Sequence, residues 1–87
     1  MYGGKVMYHI FNFVYEPLTC EGALLEFNTA QSAERFMMKA KHLFGFRVAD
    51  YQISCLAEVS PSYTHRINAT NLIPAKNPNG GFHLVEA

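Results

Sequence analysis

Residues 23–59 read ALLEFNTAQSAERFMMKAKHLFGFRVADYQISCLAEV, and this stretch decides the architecture because two hydrophobic periods follow one another in it. Ala23, Leu25 and Phe27 alternate with Leu24 and Glu26, the two-residue repeat of a strand. From Ala33 onward the apolar residues fall at Phe36, Met37, Ala40, Leu43 and Phe44, a spacing of three and four that gathers side chains on one helical face. Gln31, Glu34, Arg35, Met38, Lys39, Lys41 and His42 make the other face. Asn28 or Thr29 can accept from the first-turn amides, Glu34 is placed toward the positive end of the dipole, and Lys41 and His42 toward the negative end. Gly45 can turn left-handed without a Cβ penalty, so the spacing predicts a helix over Ala30–Phe44. Beyond it Tyr51, Ile53, Cys55, Ala57 and Val59 alternate with Gln52, Ser54, Leu56 and Glu58 as a further strand. Phe46 and Val48 have the opposite parity, which predicts a bulge near Ala49 and Asp50.

Upstream, residues 5–15 are rich in Val, Tyr, Ile and Phe and read as one strand. The turn residues of 16–22 read as a loop joining it to the strand at Ala23. Downstream, Ser60, Pro61 and Ser62 break the strand that began at Tyr51, and residues 63–69 are expected to pair back against it as a hairpin. Residues 76–81 read as a turn or flexible connector, and only Phe82 to Val85 shows strand character after them. The expectation is a single α+β domain over residues 1–87, in the order β-β-α-β-β with an optional last strand. One amphipathic helix packs on an antiparallel or mixed sheet, as a β-grasp-like roll or a plain meander. Phe36, Met37, Ala40, Leu43 and Phe44 are expected to pack on Leu25, Phe27, Ile53 and Cys55.

A chain of 87 residues is below the size at which domains divide, and its 49% hydrophobic content, with seven Phe and five Tyr, can build a core without metal or disulfides. A single helix covers one face of a sheet. The first strand nevertheless carries Met7, Phe11, Phe13 and Tyr15 on one parity and Val6, Tyr8, Ile10 and Val14 on the other. An exposed apolar face would then serve a protein partner or a second copy of the chain, with Tyr8 and Ile10 as its expected residues and Tyr15 if the parity is reversed.

Zero formal net charge gives little support to general electrostatic capture of nucleic acid. Arg35, Lys39, Lys41 and His42 still share the outer helix surface with Arg47 close behind, a candidate surface for phosphates or an acidic partner. Two cysteines and no signal-peptide pattern lead to the expectation of a reducing cytoplasm, with Cys55 in the core and Cys20 in a loop. His9, His42, His65 and His83 lack a second ligand at metal-binding spacing, so neither a metal nor a cofactor is expected. No stretch reaches transmembrane length. The run Tyr63, Thr64, His65, Arg66 could recognise phosphate, or cleave RNA by proton transfer if His65 and Arg66 converged on one phosphate.

No stretch joins nucleophile, base and orienting partner. The leading expectation is therefore a non-catalytic protein-binding module, an inhibitor or adaptor of the kind that phages and mobile elements encode against host complexes. The alternatives are a nucleic-acid binder using the basic helix face and a small endoribonuclease toxin centred on His65 and Arg66.

Overall fold

The computed structural model describes residues 7–45, 50–56 and 62–87, position 56 by its backbone alone. Within these the order is β1 (Met7–Asn12), β2 (Thr19–Cys20), β3 (Ala23–Glu26), α1 (Ala30–Phe44), β4 (Tyr51–Leu56), β5 (Arg66–Asn68), β6 (Leu72–Lys76) and β7 (Phe82–Glu86), an α+β domain. Lys5, Val6, Arg47 and the expected bulge at Ala49 lie outside the described residues.

Helix α1 has the expected bounds, and Thr29 is its cap. The Thr29 hydroxyl oxygen accepts from the Ser32 amide at 3.1 Å, while the Ser32 hydroxyl donates to the Thr29 carbonyl at 2.8 Å. This exchange lets a serine sit buried on the core side of the first turn. The first turn holds no acidic residue, so Glu34 lies too far along the helix for the dipole role expected of it. At the other end Lys41 and His42 occupy the last turn, and Gly45, at φ 71°, donates its amide to the Lys41 carbonyl at 2.7 Å.

Ala33, Phe36 and Ala40 are buried on the inner face of α1, and Met37 is partly so. Ala33, Phe36 and Met37 meet Ile10, Leu25, Phe27 and Cys20 in one core. Phe36 stands edge-on to Phe27 at 5.4 Å between centroids and to Phe82 at 6.1 Å, an arrangement that adds quadrupole attraction to area burial.

The strands connect differently from the expectation. β1 pairs antiparallel with β4, setting Ile10 opposite Ile53 and Tyr8 opposite Cys55. Its other edge is bonded as well: Tyr8 and Phe27 exchange two backbone hydrogen bonds of 2.8 and 2.9 Å, and the Leu18 amide donates to the Ile10 carbonyl at 2.7 Å. β3 pairs antiparallel with β2 and parallel with β5. The sheet is mixed, and the long-range pairings exclude a plain meander. Residues 63–69 therefore do not fold back on β4; β5 lies beside β3, placing Ile67 next to Leu25 on the core side. β6, which the sequence reading passed over, pairs with β7 around the turn at residues 77–81. Pro74 at its centre hid it. A proline is tolerated there because, among the described residues, β6 pairs only with β7, leaving an edge where no ladder amide is required.

Three placements correct the sequence reading. Ile10 is 1% exposed and belongs to the core, and Tyr8 packs against that core, so neither lines an open sheet surface. Cys55 shares a face with Ile53 but is exposed at the far end of β4, whereas Cys20, expected in a loop, is buried in β2. The first strand ends at Asn12 rather than Tyr15, because the Asn12 side-chain oxygen accepts from the amides of Val14 and Glu16 at 3.1 and 2.9 Å and turns the chain.

Replacing Phe36 by Ala should cost about 3 to 5 kcal/mol, a large part of the stability of a small domain, and a urea melt of the variant measures it. Glu21 is left-handed at φ 50° beside Gly22 at φ 83°, the pair of positive angles that a two-residue hairpin between β2 and β3 requires. Asn tolerates that conformation better than Glu. Glu21→Asn should raise stability by about 0.5 to 1 kcal/mol, part of the left-handed penalty, seen as a higher urea midpoint at unchanged slope.

Candidate functional site

The turn that leaves β1 is the most exposed apolar feature among the described residues. Phe13 is 76% exposed, Val14 54% and Tyr15 75%. Asn12 holds these three in place through five hydrogen bonds within the turn. Beyond its side-chain bonds to Val14 and Glu16, its amide donates to the Glu16 carbonyl at 3.1 Å and its carbonyl accepts from Tyr15 at 3.0 Å. Its side-chain amide also donates to the Glu16 carboxylate at 3.0 Å. Tyr15 adopts φ 61°, a conformation that costs a bulky L-residue energy and persists only where its surroundings impose it. The asparagine is the signal that the sequence reading missed: it stopped the strand early and turned an expected strand face into a hydrogen-bonded aromatic tip.

Two clefts flank this tip. On the face of β1 and β4 turned away from α1, a cleft of 260 Å³ lies between Phe11, Tyr15, Gln52 and Ser54. On the other side a wider one of 440 Å³ is lined by Asn12, Glu16, Thr19, Tyr51 and Tyr63 among others. Tyr63, picked from the sequence together with Thr64, His65 and Arg66, thus comes next to the turn by way of the chain leading into β5.

The remaining predicted residues are dispersed. Arg66 does not converge with His65: its Nη1 bonds Glu26 Oε2 at 3.2 Å and its Nε donates to the Tyr63 carbonyl at 3.0 Å, while His65 is exposed. The same Glu26 oxygen lies 3.0 Å from Nε2 of His9, whose side chain is 2% exposed. On the helix, Arg35 is tied to the Thr70 carbonyl at 2.7 Å, Lys39 is half-buried, and Lys41 and His42 are exposed toward the C-terminal end. Arg47 lies outside the described residues. Lys76, which the sequence reading did not select, stands over the Phe44 ring at 5.8 Å. No group of three or more His, Cys, Asp or Glu side chains among the described residues could hold a metal ion, and no described helix is long and apolar enough to cross a membrane.

Comparison with protein-family models, with curated proteins and with solved structures gave no match.

The two thiols differ in chemistry. Cys20 donates through Sγ to the Phe82 carbonyl at 3.7 Å, and burial, reinforced by the neighbouring Glu21 carboxylate, pushes its thiol above the ordinary range. Iodoacetamide at neutral pH should label Cys55 in the folded protein and Cys20 only after denaturation, as peptide mass mapping will show. A raised folded-state value also means that the folded state holds this proton more tightly than the unfolded one. Stability should therefore be fully present below the ordinary value of 9.0 and fall as pH rises past it, measurable as a lower melting temperature in alkaline buffer.

Proposed function

We propose that this chain is a non-catalytic protein-binding module whose contact surface is centred on Phe13, Val14 and Tyr15, an inhibitor or adaptor of the kind encoded by phages and mobile elements. The observation that carries the reading is Tyr15: a large aromatic side chain, 75% exposed, held at φ 61° by the Asn12 turn. A folded domain gains nothing internal from leaving three large apolar groups in water on a strained turn. A partner that buries them gains their area without ordering a loop, because the turn is already rigid. Aromatic side chains at the centre of a patch are also the residues that dominate measured interface energies.

On this reading the interaction surface lies at the end of β1 instead of along it. The sheet surface expected at Tyr8 and Ile10 is core, so self-association through that face loses its motivation, and a second copy of the chain would have to meet the tip.

The double substitution Phe13→Ser and Tyr15→Ser tests the proposal. Neither side chain contributes to the core, so the melting temperature should stay within a few degrees of the parent. Affinity for a partner recovered with the tagged parent should fall by at least tenfold, the loss expected from removing about 1.4 kcal/mol or more of aromatic contact. Equal retention of the partner by parent and variant would place the binding surface elsewhere.

A further inference from the structure

Resting on the protein-binding reading, we infer that the 440 Å³ cleft beside the aromatic tip receives an arginine side chain of the partner. Three features of the cleft point to a cation. Glu16 lines it, with one carboxylate oxygen committed to the Asn12 side-chain amide at 3.0 Å and the other left to accept from a ligand. Tyr51 and Tyr63 both line the same space. Among the described residues its lining includes no lysine or arginine.

Carboxylate and aromatic faces together suit a guanidinium better than an ammonium. The guanidinium is planar, stacks on a ring while donating in its own plane, and is the more weakly hydrated of the two cations. The cleft is open to solvent, wide enough at 440 Å³ to take the flat end of a side chain. Position supplies the link to the tip, because Glu16 directly follows Tyr15 in the chain. A partner segment that lays an apolar residue on Phe13 and Tyr15 would carry its neighbouring arginine into this cleft, and the charge would set register while the aromatics supply most of the affinity.

The test uses small probes and the full chain. ¹⁵N-labelled protein is titrated with N-acetylarginine amide and, as a neutral isostere, N-acetylcitrulline amide, while backbone amide signals are followed by NMR. The arginine probe should give saturable shifts at Glu16, Thr19, Tyr51 and Tyr63 in the millimolar range, with the citrulline probe about fivefold weaker or worse. Glu16→Gln keeps an oxygen for Asn12, so the turn persists, yet it should bring the arginine probe down to the citrulline level. Tyr63→Leu should weaken the arginine probe severalfold while leaving the amide spectrum of the core in place. Equal binding of the two probes, shifts confined to other regions, or no saturable shift would overturn the inference. Because the Phe13→Ser and Tyr15→Ser protein should bind the arginine probe as the parent does, a failed titration and a failed tip are separately visible.

Discussion

The centre of strand β1, from His9 to Phe11, is buried, and the rest of the domain is arranged around it. Its two edges are bonded, to β4 on one side and to Phe27 and Leu18 on the other. Both of its faces are buried too, with Ile10 toward α1 and His9 and Phe11 away from it. An antiparallel strand in a one-helix domain ordinarily leaves one face in water. Here the closure makes Ile10, Phe27 and Phe36 a single packing unit, joined through backbone and rings, and any change there must be felt by both sheet and helix.

The closure has a polar consequence. Burying His9 removes water from an imidazole, and Glu26 supplies the replacement partner at Nε2, while Arg66 neutralises the same carboxylate from the adjacent strand β5. The ring's other nitrogen, Nδ1, has no hydrogen-bond partner among the described residues. A proton on Nε2, donated to Glu26, would leave only a lone pair at Nδ1, which is cheaper to bury than an unbonded N–H. Arg66 is about 40% exposed, so its attraction to Glu26 is screened by solvent, and the parallel β3–β5 pairing depends mainly on backbone bonds and on Ile67 in the core.

Strain collects where the chain must reverse around this closed strand. Tyr15 and Glu21 are the two non-glycine residues with positive φ among those described, and they bracket β2 at the two reversals that carry the chain from β1 to β3. Asn12 compensates the first with side-chain hydrogen bonds, and Gly22 eases the second. The outcome is a short, stiff double turn that presents Phe13, Val14 and Tyr15 on one side and Glu16 on the other. Rigidity and exposure together, more than apolarity alone, distinguish this tip from an ordinary surface hydrophobic residue.

Local patterns carried the α+β class, the full length of α1, its Gly45 end, its inner face, and the parity of β3 and β4. Each of these depends on residues three or four apart, or two apart, whose periodicity is written in the chain itself. Pairing was not legible, because the partner of a strand is chosen by burial across the whole domain: residues 66–68 could close on β4 or β3, and Ile67 decides for β3 by reaching the core. Coverage along a strand was equally hidden, which is why parity placed Cys55 inward while its position at the end of β4 leaves it in solvent. The tip was misread as strand because Phe13, Val14 and Tyr15 have strong strand propensity, which masked the local side-chain hydrogen bonds by which Asn12 competes with the strand and turns the chain.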